Sequence, residues 1–166
     1  MVKKFLIIIL LPVCVLLTSC TMKYHSDIKK ETKTWIKYFK EEDAEGLLEV
    51  FCSDIKDNYS DETLEEIEAA FEFIDGDIVS YEFESESGSR QTKDNFKTKL
   101  YYCYPVYFIK TNMGKKYTIK FCYNYIWKEK PEYEGIESIR LINYEGDNEF
   151  YGDEMFVGKV YGVNEE

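Results

Sequence analysis

Apolar residues recur along the chain with two different periods, and the point where the period changes divides it. Beginning at Ser26, the residues Ile28, Trp35, Ile36 and Phe39 fall at i, i+7, i+8 and i+11, one stripe of an amphipathic helix capped by Ser26 or Asp27. A shorter helix starts at Asp43 and turns Ala44, Leu47, Leu48 and Phe51 inward, with Gly46 weakening it. A third opens at Ser60-Asp61 and carries acids in its first turn, where the helix dipole favours them. Its stripe is Leu64, Ile67, Ala70 or Phe71, and Ile74, and Asp75-Gly76 ends it.

After Gly76 the period becomes two. Ile78 to about Glu86 alternates as a strand, and the polar stretch Ser85 to Asp94 reads as a loop. Phe96–Thr111 and Lys115–Lys128 then form a long hairpin about the turn Asn112-Met113-Gly114. Tyr102, Tyr104, Val106 and Phe108 share one face of the first arm. Tyr117, Ile119, Phe121 and Tyr123 share one face of the second. Matching these two sets requires paired positions that sum to 225, a register that also sets Cys103 opposite Cys122 as a candidate disulfide. Pro105, which has no N–H to give a ladder, marks a bulge or a stretch of unpaired edge. Ile136–Tyr144 is a fourth strand, Glu145–Gly152 an acidic loop, and Met155 to Tyr161 a last strand or docking tail.

The N-terminus carries an address. Lys3 and Lys4 precede an uncharged apolar run, Phe5 to Leu17, too short for a spanning helix and the right length for a signal peptide. The run ends in Leu17-Thr18-Ser19-Cys20, which resembles the lipobox of bacterial lipoproteins. That resemblance implies a diacylglycerol on the Cys20 sulfur, cleavage before Cys20, and residence on the outer face of a bacterial cytoplasmic membrane, held by acyl chains of the palmitate kind. Residues 1–19 are then a cleaved signal, residues 20–25 a short tether, and residues 26–166 one domain. The tether reaches at most about 18 Å. Losing Lys3 and Lys4 with the signal takes the net charge from −11 to −13.

Charge and composition narrow the chemistry. With 21 Lys+Arg against 32 Asp+Glu, the chain is a poor binder of phosphate backbones, so no nucleic acid is expected as a partner. Its acidity should also keep it off an anionic leaflet. The 15 Tyr and 11 Phe supply ample core, which excludes intrinsic disorder. The one histidine, His25, falls in the tether, so ring-nitrogen catalysis inside the domain is not expected. Once Cys14 is cleaved away and Cys20 acylated, Cys52, Cys103 and Cys122 remain, with no Cys-x-x-Cys and no zinc ligand set. The acids Asp147, Glu149, Asp153 and Glu154 lack calcium-loop spacing and read as a solvated loop. Neither a metal nor an organic cofactor is expected.

Helices followed by a meander of long antiparallel strands resemble the nuclear-transport-factor-2-like (cystatin-like) cone, an α+β fold in which N-terminal helices pack on a curved antiparallel sheet. The runs Trp35-Ile36-Lys37-Tyr38-Phe39 and Asp43-Ala44-Glu45-Gly46-Leu47-Leu48-Glu49-Val50-Phe51 are similar to the first helices of such domains. With the lipobox, the chain also resembles small Gram-positive lipoproteins of domain of unknown function 5104. The cone likeness implies a pocket between the third helix and the concave sheet, with Leu64, Ile67, Phe71, Tyr102, Tyr104, Phe121 and Tyr123 as candidate lining, and a possible homodimer through the sheet. The leading expectation is a non-enzymatic binding domain for a small molecule, an envelope component or a protein. The alternatives are an acidic immunity or inhibitor protein that masks a basic partner, and a Tyr/Asp proton-transfer enzyme drawing on Tyr102, Tyr104, Tyr123 and Asp54. No catalytic signature marks those residues. The other sheet face, with Tyr101, Cys103, Tyr107 and Ile109, is a second candidate contact surface.

Overall fold

A computed structural model describes residues 24–92, 97–144 and 152–159. The expected signal segment 1–19, the expected acylation site Cys20, most of the expected tether, the greater part of the acidic segment, and Val160 and Tyr161 lie outside the described residues. Among the described residues, four α-helices precede a five-stranded, wholly antiparallel open sheet, so the expected α+β class holds. The helices are α1 (24–41), α2 (Ala44–Leu48), α3 (Ser53–Asn58) and α4 (Ser60–Phe73). The strands are β1 (Ile78–Thr92), β2 (Thr98–Thr111), β3 (Lys116–Trp127), β4 (Gly135–Asn143) and β5 (Asp153–Gly158), and each pairs with the next.

The α1 stripe forms as its spacing predicts, with buried Thr32 filling the gap between Ile28 and Trp35. Its start is corrected. The helix is already running at residue 24, so Ser26 and Asp27 lie inside it, and Tyr24 and His25 belong to the domain rather than to a tether. Tertiary contact extends it: the Tyr24 ring packs on Tyr101 and Tyr125, with centroids 5.7 and 5.6 Å away. In α2, Asp43 caps as read from the sequence and its carboxylate accepts from Gly46 N. The sequence reading passed over α3. In α4 the inward residues are Thr63, Ile67 and Ala70, while Leu64 and Phe71 are only half-buried, and no side chain caps the first turn.

Two strand expectations are corrected. The Ser- and Gly-rich stretch after Ser85 is part of β1, laddered to β2 as far as Thr92↔Thr98. The β2–β3 hairpin does not follow the 225 register: Lys110↔Lys116, Ile109↔Tyr117 and Cys103↔Tyr123 all sum to 226. The turn dictates this. Gly114 N donates to Thr111 O, Thr111 N donates to Lys115 O, and Gly114 takes φ +77, so a three-residue loop ties 111 to 115. Side chains alternate with period two, so a slip of one residue exchanges the faces of a whole strand. Tyr107 and Ile109 therefore face the helices with Tyr117, Ile119, Phe121 and Tyr123. The set Tyr102, Tyr104, Val106 and Phe108 lies on the other face. At Pro105 the β2–β3 ladder skips Tyr104 and Pro105 with no change of register, so the unpaired-stretch reading holds there and the bulge reading does not.

The core lies between the sheet and α1, and its rings meet edge to face. Trp35 stands 5.2 Å from Phe121 and 4.8 Å from Tyr123, and Phe39 stands 5.5 Å from Phe71. Gly135 (φ +130) lets the backbone of 50–52 close on β4: a Cβ there would sit 2.7 Å from Cys52 N. Backbone hydrogen bonds Cys52 N to Ile136 O and Ile136 N to Val50 O fasten the α2–α3 connection to the sheet.

Candidate functional site

The seven residues expected to line one pocket do not all lie on one side of the sheet. Ile67, Phe121 and Tyr123 are buried in the filled core, Leu64 and Phe71 are half-buried on α4, and Tyr102 and Tyr104 stand on the opposite sheet face, 5.8 Å apart ring to ring. Phe71 borders a space of about 20 Å³ between the end of α1 and the start of β1. The expected lining is therefore corrected at Tyr102 and Tyr104, which stand on the sheet face away from the helices. Trp35, Phe39, Tyr107 and Phe121 occupy the space between the sheet and α1, and cores pack with little void volume.

The candidate disulfide is corrected as well. Cys103 and Cys122 are both free thiols, and the 226 register sends them to opposite faces of the sheet. Cys103 is fully buried toward the helices. Burial raises its pKa, and the charge of Glu86 adds to the rise.

Space opens instead at the seam between α1 and the edge strand β1, where a groove of about 310 Å³ is lined by Lys29, Lys33, Tyr81, Glu82, Phe83 and Tyr107. Lys29 and Lys33 are one helical turn apart on α1, so their ammonium groups share one side of the groove. Tyr81, Phe83 and Tyr107 meet ring to ring across β1 and β2, at 6.3 Å for Tyr81–Tyr107 and 5.3 Å for Phe83–Tyr107. Lys29 Nζ sits 4.9 Å above the Phe83 ring. Tyr107 is fixed from behind, its hydroxyl 2.8 Å from Thr32 Oγ1 in the core. Burial raises the Tyr107 pKa and the Thr32 bond lowers it in part, so the phenol stays neutral. The groove thus offers two cations, an aromatic floor whose rings stand at steep angles to one another, and one carboxylate.

Two polar clusters flank this region. Near residue 24 of α1, His25 Nδ1 lies 2.8 Å from Glu86 Oε2, and Tyr101 donates to Glu86 Oε1 at 2.7 Å. The carboxylate they share is nearly buried. The one histidine is therefore part of the folded domain, against expectation. On the far face of the sheet, the β3–β4 register shifts between Cys122 and Tyr123, and the bulge buries Glu137. Glu137 accepts from Asn124 Nδ2 at 2.6 Å and from the Cys122 thiol at 3.3 Å. Burial raises the Glu137 pKa, and these two bonds lower it in part. Burial and the Glu137 carboxylate push Cys122 up to about 12, so it is no nucleophile at neutral pH.

Among the proton-transfer candidates, Tyr123 pairs with a different carboxylate. Its hydroxyl donates to Glu31 on α1 at 2.8 Å, and burial followed by that bond raises its pKa. Asp54 lies on α3, where it accepts from Asn58. Among the described residues, no cluster of His, Cys, Asp and Glu could hold a metal ion, and no helix is long and apolar enough to cross a membrane.

Lys29, Lys33 and Glu137 escaped the sequence reading. The lysines did leave a signal, a solvent-side pair four residues apart on a helix. Nothing in the alternation of β4 announces the bulge that buries Glu137.

With this geometry in view, the comparison with known families is decisive for membership. The sequence profile of the Domain of unknown function (DUF5104) matches residues 34–144, more than half of the chain. The chain belongs to the DUF5104 family. The match begins inside α1, just after Lys33, and runs to the end of β4, so it covers most of the core and the aromatic floor of the groove but neither Lys29 nor Lys33. Membership in DUF5104 supplies no activity. No curated protein matches the chain.

Proposed function

We propose that this DUF5104 protein is a lipid-anchored extracytoplasmic binding domain, and that its ligand site is the groove between α1 and β1. The observation that carries the reading is Lys29 and Lys33 set beside the Tyr81–Phe83–Tyr107 floor. Aromatic faces take flat or ring-shaped apolar surface, and paired ammonium groups take an acid, so the fitting ligand is a small ring-bearing anion. The Cys20 lipobox supports the address, and an acyl anchor would place the groove among components of the envelope. A masking role toward a basic partner rests on net charge alone, and α1 presents five exposed lysines (Lys29, Lys30, Lys33, Lys37 and Lys40), which speaks against it.

The test uses 2-naphthalenesulfonate as a probe, with binding mapped by amide chemical shifts. Perturbations should centre on Lys29, Lys33, Phe83 and Tyr107, and K29Q/K33Q should weaken binding about tenfold or more, the loss expected for about 1.4 kcal/mol of charge-assisted contact. Shifts centred on Tyr102 and Tyr104, or binding unchanged in the double variant, would remove the site.

A further inference from the structure

We propose that the end of the sheet beside the first turn of α1 lies against the bilayer surface, with Trp127 and Tyr133 at headgroup depth and Lys97, Lys128 and Lys130 directed at anionic lipids. This rests on the lipid-anchor reading above and adds an orientation to it.

Three observations converge. The first is where the anchor arrives. Only four Cα steps separate Cys20 from Tyr24, a reach of at most about 14 Å. Tyr24 is seated on Tyr101 and Tyr125, so this end cannot stand far from the membrane. The second is what the end displays. Tyr24, Tyr101, Tyr125, Ile126, Trp127 and Tyr133 are all partly exposed there. Trp127 and Tyr133 stack with centroids 5.5 Å apart, and Lys130 Nζ lies over both, 5.4 and 5.8 Å from the ring centres. Trp and Tyr prefer the membrane interface because each joins an apolar ring to a polar tip, and a lysine beside them carries its charge to the headgroups.

The third is polarity. Along 97–100 and 125–134 the chain has Lys97, Lys99, Lys128 and Lys130 against Glu129, Glu132 and Glu134. Lys99 and Glu129 form an ion pair, and Glu134 is engaged by the Trp127 backbone N–H at 2.7 Å. This end is close to neutral. The opposite end, where the last turn of α1 and the β2–β3 turn meet the start of β1, is the more acidic, with Glu41, Glu42, Asp43, Glu45, Asp75 and Asp77 against Lys40, Lys110, Lys115 and Lys116. A strongly acidic domain tethered to an anionic surface is torqued until its acidic end points outward. The aromatic end is then the one brought to the lipid.

The experiment reconstitutes the full acylated chain into vesicles containing phosphatidylglycerol and brominated acyl chains, with acylation of Cys20 checked by mass spectrometry. Trp35 is buried in the core, which leaves Trp127 as the emitter near lipid. Bromolipid should quench part of the tryptophan emission, and Trp127→Phe should abolish that part. In the Trp127→Phe background, Met113→Trp, at the exposed far turn, should stay unquenched. An acylated protein whose Trp127 is not quenched, or whose residue-113 tryptophan is, overturns the orientation and leaves the anchor standing. A membrane-extracted protein without lipid on Cys20 overturns the anchor and the orientation together.

Discussion

The buried hydroxyl pair Thr32–Tyr107 ties α1 to the groove floor, and removing its two halves should cost unequal amounts. Thr32 is fully buried and Tyr107 is 2% exposed, with their oxygens 2.8 Å apart. Thr32 Oγ1 also reaches the Lys29 carbonyl at 3.3 Å, so the threonine donates to that carbonyl and accepts from the phenol. In Tyr107→Phe the threonine keeps the Lys29 carbonyl, and the loss is one net hydrogen bond, about 0.5–1.5 kcal/mol. In Thr32→Val the shape is kept but a buried phenol O–H loses its acceptor, which costs about 1–3 kcal/mol. The double variant leaves nothing orphaned, so it should cost about 1 kcal/mol less than the two single losses together. Urea unfolding with linear extrapolation reads all four proteins, and unchanged slopes would show that only stability moved. Additivity to within about 0.5 kcal/mol, or Tyr107→Phe costing more than Thr32→Val, would refute the assignment of donors and acceptors.

Other consequences are as direct. The 226 register sets position 104 opposite Cys122, so Y104C/C103A should form a 104–122 crosslink on mild oxidation, mapped by peptide mass spectrometry. A Cys103–Cys122 bond in the unsubstituted protein would contradict the register. Glu137 titrates higher folded than its ordinary 4.5, so the folded state holds that proton longer. Its contribution to stability is full below pH 4.5 and is lost as pH rises through the folded value. Glu137→Gln should therefore flatten this part of the melting-temperature profile between pH 4 and 8 and raise stability at neutral pH, and an undiminished slope would count against burial of the charge. Trp35→Ala opens the space between Phe121 and Tyr123 and should destabilise by about 3–5 kcal/mol in the same urea assay, whereas a loss under about 1 kcal/mol would mean the ring is not packed there.

The α1 stripe, the Asp43 cap, the end of α4 and the position of the β2–β3 turn were all legible, because each rests on local spacing or one residue's conformational preference. The hairpin register was not read correctly, although the turn contained it. A loop of Asn112-Met113-Gly114 joins 111 to 115 and permits only 226. The apolar pattern pointed to 225 because β2 is aromatic in both phases: Tyr102 and Tyr104 on one side, Tyr101 and Tyr107 on the other. Tyrosine suits a covered or a wet face, so a tyrosine-rich strand carries little phase information and turn geometry should outrank it. The Ser85–Thr92 segment misled in the opposite sense. Its side chains look like a loop, but the ladder is made of backbone, and the long partner strand β2 supplies the bonds. Glu137 could not be anticipated, since the bulge that buries it comes from how β3 and β4 meet.

The filling of the space between the sheet and α1 bears on where a ligand site can be. A sheet that curves over α1 can leave its interior open only if the inward residues are small, and here Trp35, Phe39, Tyr107, Phe121 and Tyr123 all project into it. Of the two spaces among the described residues, the larger lies where the helix surface and the sheet edge diverge, at the α1–β1 seam, and the residues there are set by the two elements' outward phases: lysines from the helix, Tyr81 and Phe83 from the strand. The seam also lies low on the molecule. Lys29 and Lys33 stand five and nine residues beyond Tyr24, about 8 and 14 Å along the helix axis. If the aromatic end lies on the bilayer as proposed, the groove would open just above the headgroups, a position that would select for ligands carried by the membrane or by polymers attached to it over solutes met far from the surface.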